Sequence, residues 1–276
     1  MRCIALIPAR LESTRLPRKL LLDLQGKTVL RRTYEAVANS GLFDAVYAVC
    51  DHELLYNEIV AFGGNALMSN PNHESGTDRI AEAAQQLHAD IIVNIQGDEP
   101  FIRKEALQHV IDLFQHPDAD ITTLKTRIHS SDELQNPNAV KVVCNEQGKA
   151  LFFSRSPIPY VREQQADTVH YKHIGVYGYR REALLRLAST APGMLERTEK
   201  LENLRMLELN LSIYVAETEP FGIAIDTHDD YEKAQAYLSS LWCFIFRVPS
   251  YISYITKRAS KLPLNNFIFR EVRKPT

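Results

Sequence analysis

Scarcity of cysteine is the first constraint that this sequence sets. Its four cysteines, Cys3, Cys50, Cys144 and Cys243, are scattered, and they form neither a C-x-x-C pair nor a disulfide-dense framework. Three of them, Cys3, Cys50 and Cys144, lie in apolar, strand-like runs, which suits buried inert thiols and a reducing cytoplasm. Charge of one sign is also lacking. The net value of −2 gives no overall basic field, so nucleic acid is not an expected partner. The apolar run after Arg2 is too short for a secretory signal and a charged loop follows it at once, so no signal peptide is expected. Glycine-rich phosphate motifs are missing too. Gly26-Lys27-Thr28 does not end a P-loop, because the position five residues before Gly26 is Leu21, and no G-x-G-x-x-G occurs. Without a G-x-S-x-G or Cys/His nucleophile signature, nothing points to a covalent enzyme intermediate.

The chain is otherwise an ordinary globular one, 276 residues with 45% hydrophobic and 24% charged side chains, long enough for one large α/β domain or a domain with an inserted lobe. Its organising stretch is Ala5 to Lys19. An apolar run from Cys3 to Ile7 reads as a buried parallel strand, and Pro8, with no N–H to donate, is expected to stop its ladder. A cationic loop follows, with Arg10, Arg15, Arg18 and Lys19 close together and Ser13 and Thr14 adding hydroxyls. Such a loop at the carboxyl end of a first strand is where open α/β sheets bind ligands, and this one is equipped for several phosphates.

Helical periodicity from Val29 to Asn39, a strand from Ala45 to Val49 and a helix from His52 to Phe62 continue a parallel order. Ser75-Gly76-Thr77 opens a helix reaching about Leu87. A plain N-cap needs only one of those residues, whereas a glycine beside two hydroxyls also lets backbone N–H groups approach a ligand closely. Asp90 to Ile95 reads as a buried strand ending in Gln96-Gly97-Asp98-Glu99-Pro100, which places an acidic pair where Mg²⁺ would be held. A helix from Arg103 to Gln115 and a strand from Ile121 to Thr126 follow. The order then changes: strands Ala139–Cys144 and Ala150–Phe153 are joined by a hairpin-like turn, which implies mixed sheet. A strand from His170 to Tyr179 puts His173, Tyr177 and Tyr179 on one face, after a polar loop at 163–167. Beyond it come a helix from Thr198 to Leu209, a strand from Ser212 to Ala216, and a strand end at Ile223–Thr227 before a helix from Asp229 to Leu238. Asp98 and Asp226, each at an expected strand end, are the pair that a triphosphate–metal site requires.

The pattern R-x-x-S-x-R-x-P-x-K at residues 10–19, after a strand ending in Pro-Ala, resembles the nucleotide-binding signature of sugar nucleotidyltransferases, closest to the cytidylyltransferases that activate 3-deoxy-manno-octulosonate (Kdo). Ser75-Gly76-Thr77-Asp78-Arg79, Asn94-Ile95-Gln96-Gly97-Asp98-Glu99-Pro100, Asn136-Pro137-Asn138-Ala139-Val140-Lys141-Val142-Val143, His173-Ile174-Gly175-Val176-Tyr177-Gly178-Tyr179-Arg180 and Ile225-Asp226-Thr227 match in order, over about residues 1–238. The resemblance implies a Rossmann-like, glycosyltransferase-A-like nucleotidyltransferase fold. It has a mostly parallel central sheet and a smaller mixed-sheet lobe, within about 130–210, for the sugar and for a homodimer contact. It implies CTP and Kdo as substrates, Mg²⁺ on Asp98 and Asp226, and the nucleotide against Pro8, Ala9, Arg10, Ser13, Arg15, Lys19, Ser75, Gly76, Thr77 and Gln96. Arg10, Lys19, Asp98 and Asp226 would carry catalysis, and Arg155, His173, Tyr177, Glu202 and Asn203 would surround the sugar. Asn203 departs from the family, many of whose members have Gln there. Rivals are the same chemistry on 8-amino-Kdo or another 2-keto-3-deoxy acid, a glycosyltransferase, and a non-catalytic nucleotide sensor. The basic first loop argues against the glycosyltransferase, and the paired aspartates argue against the sensor.

The resemblance covers a domain at 1–239 and leaves an extension at 240–276. The extension holds seven Lys/Arg against one acidic residue, seven aromatics, and no apolar run long enough to span a bilayer. Weak peripheral contact with an anionic membrane surface is the expectation from its composition.

Overall fold

A computed structural model describes residues 1–163 and 168–247, with side chains through residue 240. Most of the polar loop expected at 163–167 and nearly all of the basic aromatic extension lie outside the described residues. The chain divides into two units, Met1–Tyr231 and Glu232–Thr276. In the second unit the described part is helical, the continuation of α9 (His228–Arg247). No helix among the described residues is long and apolar enough to cross a membrane.

The first unit opens with β1 (Cys3–Ala9), α1 (Val29–Asn39), β2 (Ala45–Cys50), α2 (Glu53–Ala61), β3 (Asn65–Met68), α3 (Gly76–Gln86) and β4 (Ile91–Asn94). Every residue of β1 is buried, because the strand has parallel neighbours on both edges, β2 and β4, and helices α1 and α3 pack on it. Ile4 and Leu6 meet Ile80, Ala81 and Ala84 of α3 in the main core. α1 begins where Thr28 accepts from the Arg31 N–H at 3.1 Å, a cap worth about 1 kcal/mol.

Pro8 does not end β1. It pairs in register with Val49, and Ala9 with Cys50. Neighbouring residues of a strand offer their polar groups to opposite edges. Ala9 O accepts from Asp51 on the β2 edge and Leu6 O from Ile95 on the β4 edge, so Pro8 lacks its N–H on the β4 edge, beyond the last β4 pair.

The remainder is α4 (Lys104–Asp112), β5 (Ile121–Arg127), α5 (Ser131–Gln135), β6 (Lys141–Cys144), β7 (Ala150–Ser154), β8 (Tyr171–Arg180), α6 (Arg181–Ala188), α7 (Met194–Glu199), α8 (Glu202–Glu208) and β9 (Ile213–Glu217). Among the described residues nine strands form one sheet in the order β3-β2-β1-β4-β8-β5-β9, with β6 pairing β7 and β8 off that path. Along the main path β8 alone is antiparallel to its neighbours, and β6–β7 is the expected antiparallel hairpin. The fold is therefore α/β with a mostly parallel sheet and a mixed part around β6–β8.

Two further expectations are corrected. The single helix from Thr198 to Leu209 is two, α7 and α8, broken at Lys200 in the left-handed region (φ 53). The tertiary anchor there outweighs helix propensity: Ser154 Oγ and the Arg155 N–H donate to the Glu199 carboxylate, and the Arg155 guanidinium donates to the Glu199 and Lys200 carbonyls. The strand end at Ile223–Thr227 lies outside any strand, tied instead by the Ile225 N–H to Asp98 O at 3.0 Å. Thr227 caps the following helix as expected, exchanging bonds with Asp230.

Candidate active site

Three strand or loop ends converge at the carboxyl edge of the sheet: the end of β1, the turn after β4, and the segment before α9. The Ile225–Asp98 backbone bond brings Asp98 and Asp226 side by side although 128 positions separate them. Lys19 stands between them. It opens a short 3₁₀ turn and is only 8% exposed, and its Nζ donates to Asp98 Oδ2 and, at 2.8 Å, to Asp226 Oδ1. Burial works against the Lys19 charge, but the two carboxylates outweigh it and raise the ammonium above its ordinary range. Burial likewise opposes ionisation of Asp226. Lys19, Arg15 and Arg10 nevertheless hold it below the usual carboxylate range, with Arg15 Nη2 at 3.2 Å.

The acidic pair that ends β4 is unequal. Burial, reinforced by Asp98 and Asp226, pushes the Glu99 carboxyl up to about 8, so it is mostly protonated at neutral pH and adds little charge beside Asp98.

A cavity of about 290 Å³ opens above these groups. Pro8, Ala9, Arg10, Lys19, Ser75, Gly76, Gln96, Asp98 and Asp226 all line it. At Gly76 the chain passes close to Pro8: a Cβ there would sit a tight 3.3 Å from the Pro8 ring. Ser75 caps α3 by accepting from the Asp78 N–H at 3.0 Å, so the free N–H groups of a helix start lie at the cavity wall. Ser13 and Arg15 stand outside this lining, though Arg15 reaches Asp226. Thr77 is buried, and its hydroxyl donates to Glu202 Oε2.

Sequence reasoning missed Leu20, His73, Glu74, Arg79 and Gly97 in the wall. Arg79 stood within a motif already singled out. It is 3% exposed and braced by Ser69 Oγ at 2.6 Å and Asp51 at 3.5 Å.

The residues expected around the sugar fall into two groups. A two-residue bulge in β8, where Leu124 pairs Ile174 but Thr123 pairs Tyr177, closes the gap between His173 and Tyr177 to 5.2 Å between ring centres. Tyr179 stacks next along the same face, 5.8 Å from Tyr177. Burial pushes the His173 imidazole down to about 3, so it is neutral. His173 Nε2 lies 2.9 Å from Thr123 Oγ1, a hydroxyl that also donates to the Val176 carbonyl at 2.8 Å. Asn203, 3% exposed, lies beside Tyr177 with its Oδ1 unpartnered. Burial raises the Glu202 carboxyl, while Thr77 and Arg205 hold it back. Glu202 lines a neighbouring cavity of about 400 Å³, which shares Glu74 and Ser75 with the first.

Arg155 stands apart. Its guanidinium donates to the carbonyls of Glu199, Pro137 (2.8 Å) and Lys200 (3.3 Å), leaving one N–H on each terminal nitrogen.

Cys3 and Cys50 are buried, and burial pushes both thiols up to about 12, which makes them unreactive. Among the described residues no cluster of three or more His, Cys, Asp or Glu could enclose a metal. Mg²⁺ does not need one, since one or two carboxylates and substrate phosphate oxygens suffice, and the hard oxygens of Asp98 and Asp226 beside a basic loop fit it.

A mostly parallel α/β sheet with a phosphate-adapted first loop and paired carboxylates at its carboxyl edge defines a nucleotidyltransferase. Residues 4–213 match the family described as cytidylyltransferase. The chain is 50% identical over 244 residues to a 3-deoxy-manno-octulosonate cytidylyltransferase of Flavobacterium johnsoniae, covering 87% of this chain and all of that one. It is 46% identical to the protein of the same name from Christiangramia forsetii, over 86% of this chain and 97% of that one. Among solved structures, a CMP:2-keto-3-deoxy-manno-octonic acid synthetase complexed with CTP superposes with a TM-score of 0.84 at 37% identity, covering 87% of this chain and 99% of that one. A 4-diphosphocytidyl-2C-methyl-D-erythritol synthase of Anaerococcus prevotii shares the fold alone, at 15% identity, a TM-score of 0.59 and 86% of this chain against 98% of that one. The chain belongs to the 3-deoxy-manno-octulosonate cytidylyltransferase family.

Proposed function

We propose that this enzyme transfers CMP from CTP to the anomeric oxygen of Kdo, releasing pyrophosphate and supplying an activated sugar for lipopolysaccharide. The observation that carries this reading is the Asp98–Lys19–Asp226 cluster at the edge of the 290 Å³ cavity, joined to a loop bearing Arg10 and Arg15. Arg10, Arg15 and Lys19 neutralise the triphosphate, and the start of α3 offers N–H groups to the nucleotide. Asp98 and Asp226 would hold Mg²⁺, which when bound polarises the α-phosphate and screens its charge. The sugar hydroxyl forms the new P–O bond as the bond to the β-phosphate breaks, so the chain's task is to position and neutralise. His173, Tyr177, Glu202, Asn203 and Arg155 serve the sugar.

The proposal extends to the residues around the domain. The reaction takes place in the cytoplasm. Domain 1–239 includes a lobe within 130–210 that makes the contact of a homodimer; Leu151, Tyr160, Val169 and Met194 are exposed apolar side chains in that lobe. The extension at 240–276 supplies weak peripheral contact with anionic lipid, as its composition suggests.

Pyrophosphate release measured across four nucleoside triphosphates and a panel of acidic sugars, 8-amino-Kdo included, tests the assignment. Release is expected with CTP and Kdo. Turnover favouring another nucleotide, or a sugar outside the 2-keto-3-deoxy acids, overturns it.

A further inference from the structure

Thr77 lies in the first turn of α3, one residue beyond Gly76, in the motif whose resemblance assigns it to the nucleotide. The two residues before it, Ser75 and Gly76, line the nucleotide cavity, and Thr77 does not. Its side chain is 4% exposed and faces away from that cavity, toward the start of α8, where its hydroxyl donates to Glu202 Oε2. The other carboxylate oxygen, Oε1, accepts from Arg205 Nη2 at 3.0 Å. Arg205 is 6% exposed and fixed in turn: Nη1 donates to Thr190 O at 2.6 Å, and Nε stands 2.9 Å from Glu196 Oε2. The Glu202 carboxyl is thus held from two sides, by the helix that opens at the nucleotide and by its own helix. Each carboxylate oxygen can accept two hydrogen bonds, so one acceptor site on each remains for a ligand hydroxyl.

We infer that Thr77 is a positioning residue for the acidic-sugar subsite: together with Arg205 it fixes the Glu202 carboxyl, and it does not bind the nucleotide. This rests on the assignment of Glu202 to the sugar. Gly76 meets the cavity while Thr77, its neighbour, grips the sugar residue, so a single helical turn sets the relative position of both substrates. A carboxylate held on one side only could rotate about its last two torsions, and its remaining acceptor sites would no longer point in fixed directions.

The test compares Thr77→Val, Thr77→Ser, Glu202→Gln and the Thr77→Val/Glu202→Gln double variant by steady-state kinetics and by equilibrium CTP binding. Loss of a hydrogen bond to a charged group predicts that Thr77→Val raises the sugar KM roughly ten- to a hundredfold, with CTP Kd within about twofold of the parent. Thr77→Ser, which keeps the hydroxyl, should restore the parental KM. Added to Glu202→Gln, Thr77→Val should change the sugar KM little further, because the carboxylate that Thr77 positions is already gone. If Val is not tolerated in the fold, Thr77→Ala gives the same comparison. A CTP Kd weakened as much as the sugar KM, or effects of the two substitutions that multiply fully, overturns the inference. Glu202→Gln with an unchanged sugar KM would remove the sugar role of Glu202 and this inference with it. A raised KM for Glu202→Gln beside an unchanged one for Thr77→Val would remove Thr77 alone.

Discussion

On the proposed reading Asp98 and Asp226 are each necessary, because they share one cation, Lys19, and would share the metal. Replacing either carboxylate by its amide keeps the shape and removes a charge from the place where phosphate oxygens must be neutralised. Asp98→Asn and Asp226→Asn should each lower kcat by at least about 10²–10³-fold while the thermal unfolding transition stays cooperative. Near-parental, Mg²⁺-dependent turnover in either variant would contradict a two-carboxylate site. His173 carries a different kind of consequence. Its pKa falls from an ordinary value of 6.5 to about 3 in the folded chain, so the unfolded chain takes up the proton first as pH drops. Stability associated with the neutral imidazole is therefore fully present above pH 6.5 and is lost progressively between about 6.5 and 3. Measured by denaturant titration, the parent should lose stability relative to His173→Asn by on the order of 1 kcal/mol between pH 7 and pH 5.5. A difference between the two proteins that does not change with pH would show that the ring is open to solvent. The basic residues of the loop after β1 were legible as a group in the sequence because their types are unusual together in a short loop. The role of Thr77 was not, since a hydroxyl at a helix start suits a cap, a ligand or a distant carboxylate equally well, and only the fold brings Glu202 to it.

Among the elements, local pattern located most segments, and α1 falls at Val29–Asn39 as its periodicity indicates. The departures at Pro8, at the α7–α8 break and at Ile223–Ile225 share one cause, tertiary contacts that no local window contains. Pro8 continues β1 because its missing donor falls on an edge where β4 has already ended. α7 and α8 separate because side-chain and backbone groups of Ser154 and Arg155 hold Glu199 and Lys200. Ile223–Ile225 has the composition of a strand, yet it joins no ladder and is tied by a backbone bond to the Asp98 loop. Arg155 offers a test at this scale, because three of its N–H groups serve the carbonyls that close the break between α7 and α8 and the Asn136-Pro137 turn. Arg155→Met should destabilise the folded enzyme by about 2 kcal/mol, and it should raise the sugar KM while leaving CTP Kd nearly unchanged. A variant with parental stability and a raised sugar KM would mean that the guanidinium serves the ligand alone.

For the molecule as a whole, charge is distributed unevenly: the extension at 240–276 is basic and aromatic, and the first 239 residues carry a net −8. Within that acidic body the cations that matter are local, gathered on the loop after β1 and at the cluster of Lys19, Asp98 and Asp226. Sheet order brings the residues proposed for the sugar near that end of the sheet. Placing β8 beside β4 sets Tyr177 opposite Asn94, a few residues from Asp98, so the mixed part of the sheet adjoins the end of the parallel part that carries the Asp98 cluster. The central claim is that this arrangement joins CMP to Kdo in a single displacement. Phosphorus NMR of a reaction containing only the full-length enzyme, CTP, Kdo and Mg²⁺ tests it most directly. One new phosphodiester signal should grow in step with pyrophosphate, with no turnover when UTP replaces CTP. Formation of CMP and pyrophosphate without the phosphodiester, or equal turnover with UTP, would contradict the account.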